Sequence, residues 1–228
     1  FLESHRGYIE NDGPFITRLV EYVLGKANED GSISESLQNR SYNTAVVLNA
    51  LAATKNPKYE PVIAGGRSFL TGHQIDESEG YKPDHRYYGG LGYGGDERPD
   101  MSNLYIALEG LKAAATDPKD PVWEKAMVFV SRSQNRSESN DQPFAANDGG
   151  FVYMPGWNPP EFENGTNSYG GMSAAGLISL LFAGVDKSDP RVQAAYKWMT
   201  TNYTLDVNPG TNAKHGLFYY YNAFAKVM

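Results

Sequence analysis

Lys125–Gln134 reads KAMVFVSRSQ, and a Gly149-Gly150-Phe151 corner follows it. Gly65–Gln74 reads GGRSFLTGHQ and is followed by Gly89-Gly90 and Gly92-Tyr93. A weaker version opens the chain: Arg18–Ala27 reads RLVEYVLGKA, then comes Asp30-Gly31. One unit recurs, and recurrence on this scale is the signature of a repeat architecture.

The unit has a physical reading. An amphipathic helix ends near a Gln, a Gly-rich corner carrying an aromatic follows, and a second, more apolar helix runs on. The second helices are expected at Tyr42–Thr54, Met101–Ala115, Tyr169–Ala183 and Gly216–Met228. In the first three, Leu48 and Leu51 align with Leu108 and Leu111 and with Leu177 and Leu180. Leucines three or four apart share one helix face. The first helices are expected to start at Pro14, Pro61, Pro121 and Pro190. Proline suits a first helical turn, where its missing N–H has no partner to lose. Asp120 and Asp189, each before its Pro, are natural N-caps.

These elements give four helical hairpins, at about 13–55, 56–116, 117–185 and 186–228, in one all-α domain spanning 1–228. Two polar insertions, 75–95 and 135–167, lie inside the second and third hairpins, and insertions in repeat proteins collect at one end of the stack. Gly92-Tyr93 and Phe151-Val152-Tyr153 are read as short extended pieces.

Composition bounds the function. The formal net charge of −7 excludes the basic patch that meets phosphates, so no nucleic-acid partner is expected. No stretch approaches the roughly 18 apolar residues of a membrane span. Cysteine is absent, which removes disulfides, thiolate zinc sites and Cys nucleophiles. His5, His73, His85 and His215 lack metal-ligand spacing, and no metal or cofactor is expected. The Asn-, Gly- and Tyr-rich composition suggests an exported bacterial protein. The chain opens Phe-Leu-Glu-Ser-His and closes within the apolar run 217–228, which reads as a piece of a longer protein.

The aromatic-aliphatic-x-x-x-Gln and Gly-aromatic pattern resembles the QW repeat of squalene–hopene and oxidosqualene cyclases, in the superfamily that includes protein prenyltransferase β subunits. Gly149–Tyr153, Ser168–Met172, Asn202–Asp206 with Asn208-Pro209-Gly210, and Gly216–Tyr221 look most like bacterial prenyltransferase/squalene oxidase repeat proteins. The resemblance covers nearly the whole chain. It implies an α/α toroid: a ring of hairpins whose second helices line a central cavity, here a partial ring closed by missing repeats or a partner chain. It implies an isoprenoid, or another apolar small molecule, as ligand. The chemistry departs from the family. The cyclase Asp-x-Asp-Asp-Thr-Ala motif is answered only by Ser41–Ala45, with Tyr42 at the donor slot and Asn43 after it, and by Asp100–Asn103, with Ser102 at the donor slot. A Ser or Tyr cannot protonate an alkene, because the donor must be an activated acid. The prenyltransferase zinc site needs a Cys.

Asp100 is therefore the catalytic candidate, with a helix N-cap as its plain alternative. Tyr42, Tyr105, Tyr169, Tyr219, Tyr220 and His215 are the candidate substrate-binding residues, since such aromatics hold apolar chains and stabilise carbocations. Two other functions stay open. One is a non-catalytic binding or scaffold protein that kept the ring and lost the acid. The other is a polysaccharide-active enzyme using loop carboxylates such as Asp148, Glu161, Glu163 and Asp206.

Overall fold

The computed structural model describes residues 13–94, 98–162, 165–211 and 215–228. His5, Glu163, Asp96 and Glu97 lie outside them. The described residues form an all-α structure of eight α-helices: α1 (Pro14–Leu24), α2 (Arg40–Ala53), α3 (Glu60–Gly72), α4 (Met101–Ala113), α5 (Pro121–Ser133), α6 (Gly170–Phe182), α7 (Pro190–Thr201) and α8 (Leu217–Val227). Among the described residues, no helix is long and apolar enough to cross a membrane.

The helices begin where the sequence places them. All four prolines sit in the first turns of α1, α3, α5 and α7. Asp120 accepts from the Val122 N–H at 2.9 Å, and Asp189 from the Arg191 N–H at 2.8 Å. Only α2 starts clearly earlier than expected, at Arg40 rather than Tyr42. Its N-cap, Asn39, makes no side-chain cap bond, and Tyr93 of the next hairpin supplies the acceptor instead, at 3.1 Å from the Ser41 N–H.

The even-numbered helices pack side by side, α2 on α4, α4 on α6 and α6 on α8, while α3, α5 and α7 lie against them. The aligned leucines fill this seam: Leu48, Leu51, Leu108, Leu111, Leu177 and Leu180 are all buried. Where Gly176 stands, an added Cβ would come within 2.4 Å of the Phe151 ring, so α6 leaves a seat for the aromatic of its own corner.

The repeat Gln joins neighbouring hairpins. Gln74 Nε2 donates to the Gly89 carbonyl of its own corner and to the Val122 carbonyl in α5, both at 3.0 Å. Gln134 Nε2 does the same to Gly149 and to Arg191 in α7, both at 2.9 Å. Ala27, at the Gln position of the first unit, lacks the amide. The residue after each Gln closes the corner with paired backbone bonds, Ile75 with Gly89 and Gly90, Asn135 with Gly149 and Gly150. Asn28 bonds Gly31 and Ser32 in the same way. The first corner glycine has positive φ in every unit, at +87° (Gly31), +82° (Gly89) and +87° (Gly149). Each presses on the next odd helix at the residue four beyond its proline: Gly65, Lys125 and Ala194. A side chain there would be strained by φ and would also clash.

Phe151 makes a single antiparallel bridge with Gln134, and the described residues contain no longer strand. The expected extended pieces serve instead as caps, since Tyr93 and Tyr153 offer their carbonyls to helix N-termini. Arg132, 4% exposed, fastens both insertions. Its guanidinium forks onto Asp141 at 2.6 and 2.7 Å and donates to the Pro83 and His85 carbonyls at 2.8 Å. The guanidinium holds the Asp141 carboxyl down to about 2.

Gln134→Ala leaves two carbonyls without their side-chain donor and should cost about 2 kcal/mol in urea unfolding. An unchanged midpoint would remove the Gln from the hairpin interface. Ala115, at φ +52°, ends α4 in the left-handed conformation that Gly184 adopts after α6. Ala115→Gly should therefore raise stability, by about 1 kcal/mol, read as a higher denaturant midpoint.

Candidate functional site

The N-terminal ends of the even helices converge on one cavity of about 410 Å³. Asn39, Tyr42 and Asn43 reach it from the start of α2, Ser102 from α4, Tyr169 and Met172 from α6, and Gly216 and Tyr219 from α8. Tyr93, Tyr153, Phe162 and Asn208 complete the wall from the corners and insertions. None of these lining residues carries a formal charge. Helix N-termini bring positive dipole ends to the cavity. Their free N–H groups are largely taken up by the corners, with Ser41 donating to Tyr93, Met101 to Tyr153 and Gly170 to Pro209.

The wall is aromatic. Tyr42 stacks loosely on Tyr93, with centroids 6.4 Å apart. Phe162 packs on Tyr169 at 4.8 Å. Tyr219 meets Tyr105 edge-on at 6.5 Å. Burial, with the nearby Asp100 charge adding to it, pushes the phenols of Tyr153 and Tyr169 upward. Burial does the same to Tyr219, helped by Tyr105, Tyr169 and Asp100. These groups stay protonated near neutrality and act as hydrogen-bonding hydroxyls, not as bases.

The amides are already engaged. Asn208 Oδ1 accepts from the Gly171 N–H at 2.9 Å while its Nδ2 donates to the His215 carbonyl at 3.0 Å, tying the start of α6 to that of α8. Asn43 Nδ2 donates to Ser34 Oγ at 2.9 Å.

The sequence candidates divide. Tyr42, Tyr169 and Tyr219 line the cavity. Tyr105 is buried behind Tyr219 and does not form the wall. Tyr220, 0% exposed, packs on Phe224 and against Gly170, on a different side of α8 from Tyr219. His215 is exposed, its ring 6.1 Å from Phe162, at the edge of the cavity. His73 is structural, held to the Phe69 carbonyl at 2.9 Å and to Arg40 at 3.2 Å.

Asp100 sits just behind the wall, 2% exposed, as the N-cap of α4. Its Oδ1 accepts from the Ser102 N–H (2.9 Å), the Ser102 hydroxyl (2.5 Å) and the Asn103 N–H (2.9 Å), and its Oδ2 accepts from Asn103 Nδ2 (2.7 Å). Burial pushes the carboxyl upward, against the pull of Ser102, Asn103 and Tyr153. The surrounding geometry is that of an acceptor, since these four donors and the Tyr153 hydroxyl are aimed at it.

Comparison with known proteins finds no matching family model, no matching curated protein and no matching solved structure.

Phe162, Met172 and Asn208 carry no signal in the sequence, although the wall depends on them. Tyr93 and Tyr153, aromatics of the corners four residues after Gly89 and Gly149, do line the cavity. Among the described loop carboxylates, Asp148, Glu161 and Asp206, none lines this cavity. Asp148 is occupied by the Gly150 N–H at 3.0 Å and the Ser168 hydroxyl at 2.6 Å, and Asp206 is exposed.

Asp100→Ala removes the cap and strands buried donors, and should cost about 2–3 kcal/mol in chemical denaturation. A loss below about 0.5 kcal/mol would mean that the Asp100 hydrogen bonds contribute little to folding.

Proposed function

We propose that this chain is part of an α/α toroid related in kind to the isoprenoid cyclases, and that its cavity holds an isoprenoid without cyclising it. The observation that carries the reading is the aromatic-walled cavity of about 410 Å³ at the ends of four helices, whose described lining residues carry no formal charge. Ligand sites of this size class are mostly apolar, with a few placed polar groups. At interior packing density the space takes on the order of 300 Å³ of ligand, which suits a chain of a few isoprene units.

Binding without cyclisation follows from Asp100. A carboxyl that already accepts four hydrogen bonds is a poor proton donor, and cyclisation of an alkene needs a strong one. Catalysis in a cyclase of this kind would need an acid from elsewhere in a longer chain or from a partner. The exposed apolar side chains Leu19, Tyr22 and Val46 at one end of the helix row, and Phe218 at the other, 83% exposed, are consistent with further hairpins or a partner chain extending the ring.

A neutral oligosaccharide is the second reading, favoured by the asparagines and tyrosine hydroxyls in the wall. It is weakened because the amides of Asn43 and Asn208 are already committed.

The test is native mass spectrometry after incubation with a bacterial lipid extract, with product analysis alongside. The expected result is a bound isoprenoid, unchanged in mass, with affinity reduced about tenfold in Tyr219→Ala through loss of an aromatic contact. A cyclised product would restore the enzyme reading. Binding of oligosaccharides instead would support the second reading, and a clean unliganded mass would support a scaffold.

A further inference from the structure

We infer that the cavity selects an isoprenoid alcohol, over the corresponding ether or diphosphate, and that Ser102 reads the hydroxyl. This rests on the isoprenoid reading above and specifies its polar end.

The inference comes from hydrogen-bond direction. A serine hydroxyl has one hydrogen to give and two lone pairs to offer. Ser102 spends its hydrogen on Asp100 Oδ1, at 2.5 Å. Asp100 cannot reverse the bond, because that oxygen also receives the N–H groups of Ser102 and Asn103. The oxygen of half-buried Ser102, which lines the cavity, is therefore left as an acceptor: the neighbouring Tyr153 hydroxyl takes at most one lone pair and the other remains for a ligand. Donation to a carboxylate polarises the hydroxyl and strengthens it in that role. A ligand meeting it must bring a hydrogen.

Tyr219, which lines the same cavity, carries the complementary group. Tyr219 Oη is buried and has no hydrogen-bond partner. Its phenol stays protonated, so it can donate. An alcohol gives a hydrogen to Ser102 and accepts one from Tyr219. A methyl ether can only accept. A diphosphate brings acceptors and negative charge to a wall whose described lining residues include no Lys, Arg or His, with Asp100 directly behind Ser102.

The probes are farnesol, its methyl ether and farnesyl diphosphate, titrated into the unaltered protein and into Ser102→Ala and Ser102→Thr. Farnesol should bind about fivefold more tightly than the ether, the scale of one neutral hydrogen bond, with the diphosphate weakest. Ser102→Ala should equalise alcohol and ether, and Ser102→Thr, which keeps the hydroxyl, should restore the difference. A merely structural Ser102 would change both affinities together and leave their ratio intact, which overturns the assignment. Equal binding of alcohol and ether by the unaltered protein, or tighter binding of the diphosphate, also overturns it while leaving an isoprenoid cavity in place. If none of the three probes binds, the isoprenoid reading falls, and this assignment with it.

Discussion

The amide of the repeat glutamine is the interaction on which the rest of the arrangement depends. Gln74 and Gln134 each hold two carbonyls at once, one on the corner that follows and one on the first turn of the next odd helix. A buried carbonyl left without a partner costs a large part of a kilocalorie or more, so the pair of bonds fixes the corner and the next hairpin together. The corner glycine then seats against that hairpin's backbone, which a Cβ would prevent. Register passes along the chain in this way before any core leucine is considered.

The cavity is a by-product of that register. The helices α2, α4 and α6 are each capped by a carbonyl from the hairpin after them: Ser41 by Tyr93, Met101 by Tyr153, Gly170 by Pro209. The residues that supply these carbonyls, or stand beside them, also supply wall: Tyr93, Tyr153 and Asn208. The same contacts that assemble the stack therefore bring aromatic groups to the helix ends. Asp100 belongs to this scheme twice, as the cap of α4 and as the group that sets the direction of the Ser102 hydroxyl.

Much of this was legible in the sequence because it is local. The prolines mark helix starts, Asp120 and Asp189 mark caps, and the leucine pairs mark the seam. Each depends on neighbours within a turn or two, and each falls where the pattern puts it. What stayed hidden is non-local. Nothing near Gln134 announces that its amide reaches Arg191. Three consecutive tyrosines in α8 guarantee that they point different ways, yet only packing decides that Tyr219 faces the cavity while Tyr220 is buried against Gly170. Asn208 reads as an ordinary turn residue, and its role appears only when α6 and α8 are seen to share it.

The paired backbone bonds that close each corner have a consequence for how the chain can change. The same closure joins Asn28 to Gly31 across a short connection and Ile75 to Gly89 across a long one. Closing a longer loop adds only a slowly growing entropic cost, about 0.6 kcal/mol per doubling. The frame is thus insulated from what is threaded between its clasps. Segments that decorate the cavity can lengthen, shorten or be exchanged while the helices keep their places, so the scaffold and its specificity are free to evolve at different rates.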